Sequence, residues 1–81
     1  MIEIRYFASF RESLGLGSER MEWPEASSAA VLLERLRDRG EPWTGVLGNR
    51  VMVAINQELR GPEARVQDGD EVAFFPPVTG G

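Results

Sequence analysis

The sequence predicts an α+β domain. Three observations carry that reading: period-two alternation opens the chain at residues 2–8, a single apolar stripe at helical spacing runs through Ala29, Leu32, Leu33 and Leu36, and two β-rich stretches, 51–55 and 71–75, follow it. Eighty-one residues hold one small domain with no room for a second core. At 42% hydrophobic residues the chain can bury a core, though a modest one.

In residues 2–8, Ile2, Ile4, Tyr6 and Ala8 share one face and Glu3, Arg5 and Phe7 the other, the pattern of a half-buried strand. Phe7 is out of phase, sharing a face with two charges, so it is expected at the surface. Residues 11–18 read as a short helical turn or loop broken by Gly15 and Gly17, with Leu14 and Leu16 over one end of the core. Residues 19–23 alternate again with Met21 and Trp23 inward, a second strand antiparallel to the first, and Pro24 ends it. Ser27 and Ser28 are N-cap candidates for a helix through Arg39, with Gly40 just past its end and Pro42 beyond. Glu34, Arg35, Arg37 and Asp38 form its wet face, read as solvated charge rather than as a phosphate site.

Residues 43–47 read as a turn of helix or an irregular cover, with Trp43 and Leu47 inward, and residues 47–50 turn the chain. The nearly continuous apolar run 51–55 suits a strand covered on both sides or lying centrally. Residues 56–62 read as a turn in which Leu59 has no evident burial. Residues 64–66 form a short bridge strand, and Asp68-Gly69-Asp70 turns into a last strand, 71–75. That acidic turn lacks the other ligands of a calcium loop. On the last strand Val72 and Phe74 share one face, while Ala73 and Phe75 share the other, where Phe75 joins Phe7 outside.

Composition narrows the chemistry. There is no cysteine and no histidine, which removes disulfides, thiolate metal sites and the commonest general base, so catalysis by this chain alone is not expected. A net charge of −4 argues against nucleic-acid binding and would favour a partner with a basic surface. No stretch is long enough for a membrane span, and the opening is not a signal sequence, so a cytoplasmic protein is expected. All nine basic residues are arginine, a bias for which genomic base composition or heat adaptation is the plainer cause; whatever the cause, no side chain offers an amine on which an activated copy of the chain could form an isopeptide.

The last eight residues, Phe74-Phe75-Pro76-Pro77-Val78-Thr79-Gly80-Gly81, run from a buried strand to a carboxylate. Pro76 and Pro77 remove two backbone donors, so the strand cannot continue its ladder and the chain leaves the sheet. This divides the chain into a domain at 1–76 and a flexible tail at 77–81. Fully extended, that tail reaches roughly 17 Å, enough to enter another protein's active site. Gly80 and Gly81 lack the Cβ that would bar them from a narrow slot. A solvated, inert tail on a binding module is the plainer alternative.

The run Asp68-Gly69-Asp70-Glu71-Val72-Ala73-Phe74-Phe75-Pro76-Pro77-Val78-Thr79-Gly80-Gly81 resembles the C-terminal signature of the molybdopterin synthase small subunits, a family of ubiquitin-like sulfur carriers. The opening strand with Phe7, and Asn56-Gln57 with Leu59, extend the resemblance along the chain, whereas residues 40–48 carry no motif that matches. The resemblance implies a ubiquitin-like β-grasp: a mixed sheet with one main helix packed across it, the first and last strands parallel in its centre. It also implies that Gly81 is a covalent carrier site rather than a catalytic residue. A ubiquitin-activating-type enzyme would adenylate its carboxylate with ATP and magnesium, and a sulfur donor would convert it to a thiocarboxylate. The tail residues Val78, Thr79, Gly80 and Gly81 would then thread into the large synthase subunit, which holds the catalytic side chains, and deliver sulfur to cyclic pyranopterin monophosphate. This chain would bind no cofactor or metal of its own.

The β-grasp would bring Phe7, Leu59 and Phe75 into one hydrophobic patch beside Pro76 and Pro77, a surface for the large subunit. Alternatively, Leu59 caps the core and Phe75 packs under the prolines. Two other functions remain open: a carrier of the same fold for another pathway, such as that of the thiamine thiazole, or a ubiquitin-like protein modifier.

Overall fold

In the computed structural model, which describes residues 1–23, 25–48 and 50–77, the opening alternation becomes β1, Ile2–Tyr6, with Ile2, Ile4 and Tyr6 each no more than 1% exposed. The pattern predicts a strand as far as Ala8, but the chain turns earlier. Ala8 has φ 53°, in the left-handed region, which breaks the pleat and starts α1, Ala8–Leu14. This helix buries Phe10, and Gly15, at φ 68°, ends it by donating its N–H to the Arg11 carbonyl at 3.0 Å.

β2, Ser18–Met21, returns antiparallel along β1 with Met21 opposite Ile2. Trp23 lies just past the strand, buried as expected, with its indole Nε1–H donating to the Val66 carbonyl at 2.9 Å. Pro24 lies outside the described residues. Ser27 and Ser28 have two roles. As β3, Ser27–Ser28, they pair antiparallel with β6, Arg65–Val66, and Ser28 then caps α2, Ala29–Arg37, its Oγ accepting from the Val31 N–H at 3.2 Å. The next two orphan donors of that helix end are met by loop carbonyls: Ala29 N–H by Ala64 at 2.9 Å and Ala30 N–H by Pro62 at 2.8 Å. The helix therefore starts locked to the β6 segment.

Leu32 and Leu36 are fully buried, Ala29 nearly so and Leu33 half-buried, which confirms the apolar stripe. The wet face needs one correction: Arg37 is half-buried, and its Nε–H donates to the Leu47 carbonyl at 2.6 Å, tying α2 to the end of α3, Trp43–Val46. Leu47 is buried and Trp43 half-buried.

β4, Met52–Ile55, and β5, Glu58–Arg60, form a hairpin across Asn56 and Gln57, both at positive φ, 50° and 69°. The stretch read as one long turn is therefore a two-residue turn with a short edge strand. Burial along β4 alternates, with Val53 and Ile55 inside and Met52 and Ala54 half-buried, so the strand is covered on one face and not on both. β7, Glu71–Phe75, lies in the middle. The sheet order is β2-β1-β7-β4-β5, with β7 parallel to β1 and antiparallel to β4.

The inward row of Ile2, Ile4, Tyr6, Val53, Ile55, Val72 and Phe74 forms one cluster with Ala29, Leu32 and Leu36 of α2. This is the mixed, helix-covered sheet of the ubiquitin-like β-grasp, with two short helices beside the main one. One polar clasp is built on Tyr6 of the cluster. The Tyr6 hydroxyl donates to Glu19 at 2.8 Å, Arg39 grips the same carboxylate with two bonds at 2.9 and 2.8 Å, and the Arg39 guanidinium lies 4.5 Å from the Trp43 ring centre.

Candidate functional site

Parallel pairing of β1 with β7 builds the candidate site, because it brings the ends of both strands to one edge. The register sets Tyr6 beside Phe74, and the Phe7 N–H continues the ladder to the Phe74 carbonyl at 3.1 Å. Side chains alternate, so Phe7 and Phe75 are neighbours on the outer face, opposite the core. Phe7 is 46% exposed and Phe75 half-buried. The expectation for Phe75 is met in face but not in extent, since its neighbours cover part of the ring.

Leu59, 64% exposed, does not cap the core. It sits on edge strand β5 opposite Ala54, which in turn pairs with Ala73 of β7. Leu59 is thus separated from the phenylalanines by β4, and residues missing from the sequence-derived patch fill the gap. Met52 pairs with Phe75, and half-buried Met52 and Ala54 lie on this face between Leu59 and the phenylalanines, while Ala73, beside Ala54 in register, is buried. The signals were present in the apolar run 51–55 and in the phase of Ala73, but only the register shows that they meet.

The other end of this face is charged. Arg5 pairs with Ala73 in register and reaches back, Nε 2.9 Å from Glu71 and Nη2 3.7 Å from Glu3. The outer face is therefore apolar where β7 ends and ionic where it begins. Pro76 and Pro77, half-buried, carry the chain off the apolar end. Val78, Thr79, Gly80 and Gly81, expected to thread into a partner, lie outside the described residues.

Chemically, such a face offers contact area and no reactive group. Among the described residues, no three His, Cys, Asp or Glu side chains converge to hold a metal ion, and no helix is long and apolar enough to cross a membrane. The perturbed titrations are those of the clasp and of Asp68, whose carboxyl the bonded Met1 amine holds below its ordinary range. Burial, reinforced by Glu19, raises the Tyr6 phenol well above its ordinary value. For Glu19 burial works upward too, but the hydrogen bonds from Arg39 and Tyr6 and the charge of Arg39 outweigh it and hold the carboxyl below the usual range.

Comparison with known proteins agrees with this geometry. The chain is 43% identical over 82 residues to the molybdopterin synthase sulfur carrier subunit of Haemophilus influenzae, covering the whole of both chains. It is 36% identical to the small archaeal modifier protein 3 of Haloferax volcanii, over 99% of this chain and 98% of that one. Among solved structures it resembles a chain in the complex of subunits 1 and 2 of molybdopterin-converting factor from Helicobacter pylori, with 25% identity, a TM-score of 0.67, and coverage of 99% of this chain and 97% of the other. The resemblance read from the terminal run is thereby borne out. The ThiS family matches residues 4–81, from the first strand of the sheet through the glycine tail, and the chain belongs to that family.

Proposed function

We propose that this chain is the sulfur carrier subunit of molybdopterin synthase. The observation that carries the reading is the 43% identity, over the full length of both chains, to a protein of that name. The outer face supports it, since an apolar surface at the point where the tail departs lets docking and tail insertion occur together.

In this reading the Gly81 carboxylate attacks the α-phosphorus of ATP on an activating enzyme that binds magnesium, releasing pyrophosphate. The resulting mixed anhydride has a good leaving group. Sulfur supplied at the sulfide level then bonds to the acyl carbon, the bond from that carbon to the phosphate oxygen breaks, AMP departs and the sulfur's proton passes to solvent, leaving a thiocarboxylate that is nucleophilic at neutral pH. Phe7, Leu59 and Phe75, with Pro76 and Pro77 at the exit, dock on the large subunit, and Val78 to Gly81 enter its pocket. The large subunit supplies the catalytic side chains, and the thiocarboxylate transfers its sulfur to cyclic pyranopterin monophosphate. The chain is not an enzyme alone, and it works in the cytoplasm, where these partners are met.

The test is the intact mass of the chain after incubation with the activating enzyme, ATP, magnesium and a sulfur donor. Replacement of one terminal oxygen by sulfur is expected, followed by return to the carboxylate when the large subunit and the pterin are added. Sulfur delivery to a thiazole precursor alone would assign the carrier to the other pathway. The likeness to the archaeal modifier favours a second reading, conjugation of Gly81 to a lysine of another protein. Abundant isopeptide adducts of the chain in cell extract would establish it in place of sulfur transfer.

A further inference from the structure

An acyl-adenylate reacts with any amine it meets, so a carrier that must wait for sulfur is at risk from its own copies. The side chains best placed to capture it are lysines, whose amines, with a pKa of about 10.4, include a reactive neutral fraction near neutral pH. Guanidinium groups stay protonated and do not compete. All nine basic side chains of this protein are guanidinium groups.

Packing accounts for part of this. Arg39 holds Glu19 with two parallel bonds and stacks on Trp43, Arg35 lies 4.8 Å from the Trp23 ring centre, Arg37 uses its Nε–H on Leu47, and Arg5 spans Glu71 and Glu3. A planar fork suits these sites better than an ammonium does, most of all at Arg39, where it makes both bonds to one carboxylate. The other five positions impose no such demand. Arg11, Arg20, Arg50 and Arg65 are exposed and make no ion pair among the described residues, and Arg60 approaches Glu58 only at 3.8 Å, a contact that lysine makes equally well. The Met1 α-amine, paired with Asp68 at the surface, is an amine that every variant shares, so capture through it sets the baseline against which side-chain capture is read.

We infer that the lysine-free surface protects the activated carrier, keeping the Gly81 acyl group from being captured by the side chains of a second copy before sulfur arrives. The inference rests on the carrier reading, because it needs Gly81 to be adenylated. In the reaction avoided, a neutral ε-amine bonds to the Gly81 acyl carbon, the bond from that carbon to the phosphate oxygen breaks, AMP leaves, and the amine proton passes to solvent.

The test uses the full chain with its activating enzyme, ATP and magnesium, and no sulfur donor. Wild type is compared with a variant in which Arg11, Arg20, Arg50, Arg60 and Arg65 are all replaced by lysine, and with that variant lacking Gly81. Exchange of labelled pyrophosphate into ATP reports adenylation, and intact mass reports covalent dimers. The lysine variant is expected to form on the order of ten times more dimer than wild type, joined from Gly81 to the new lysines, with none when Gly81 is absent. A second arm is independent of the variant's folding: Nα-acetyl-lysine amide added to activated wild type is expected to form an adduct at Gly81. Equal dimer levels in wild type and a folded lysine variant, or no adduct with the added amine, while exchange proceeds, would overturn the inference alone. No exchange in wild type would overturn the carrier reading together with it.

Discussion

At the scale of single residues, the proposed docking face depends on a few apolar side chains, and the most exposed of them can be replaced at little cost to the fold. Phe7 and Leu59 are 46% and 64% exposed, so replacing either alters few packed contacts. Phe7→Arg and Leu59→Arg are each expected to weaken binding to the large subunit by about 2 kcal/mol, roughly thirtyfold in Kd. Their stability change is expected to stay within about 0.5 kcal/mol, as for other surface substitutions. Titration calorimetry and thermal melts check the pair of outcomes, and unaltered affinity in both variants would remove this face from the interface. Phe75→Arg should cost more stability, because that ring is half-buried beside Met52. The phase of β1 made Phe7 legible in the sequence. The phase of β7 likewise put Ala73 on the side of Phe75, but Met52 and Ala54 were not legible as part of the face, because they join it through pairings between strands far apart in the chain.

At the scale of elements, the clasp joins β1, β2 and the chain after α2 through one carboxylate. The folded pKa of Glu19 lies below its unfolded value, so its contribution is fully present above the ordinary glutamate pKa of about 4.3 and is lost as pH falls through the folded value. Glu19→Gln is expected to cost about 1–2 kcal/mol at pH 7, intermediate between an exposed ion pair and a buried charged hydrogen bond. Urea midpoints of the two proteins should converge as the pH is lowered from 5 toward 2; a gap that persisted at the acid end would mean that packing, not charge, holds the clasp. Ser28→Ala should cost about 1 kcal/mol by removing the α2 cap, read from the urea midpoint at pH 7. That cap was visible in the sequence, as were β1, β2, α2 and the last strand, because each carries its own periodicity. β5 was not, since three exposed residues after a non-glycine turn have no period to read. The start of α1 was hidden because Ala8 keeps the strand's phase and abandons its conformation.

At the scale of the whole molecule, β7 is both the centre of the sheet and the last element before the tail, so the strand that carries the core leads on in sequence to the proposed carrier group, and the two roles can be separated by mutation. Phe74 faces inward at 1% exposure, stacked 6.4 Å from Tyr6. Phe74→Ala is expected to cost about 3–5 kcal/mol, a large fraction of what a small domain has. Docking and sulfur transfer would then fall together, in proportion to the fraction unfolded. Deleting Gly81 should act in the opposite way. The sheet's last strand ends at Phe75, six residues before Gly81, so the melting temperature and binding to the large subunit are expected to be almost unchanged. Thiocarboxylate formation and sulfur delivery should nevertheless disappear, because no shorter carboxylate reaches the same depth in a pocket fitted to the full tail. Circular dichroism melts, calorimetry and intact mass on the two variants give the contrast. If the shortened chain still accepts and delivers sulfur, the Gly81 carboxylate is not the carrier. If it loses affinity as severely as Phe74→Ala does, the tail is a main anchor of the complex and the sheet face a secondary one.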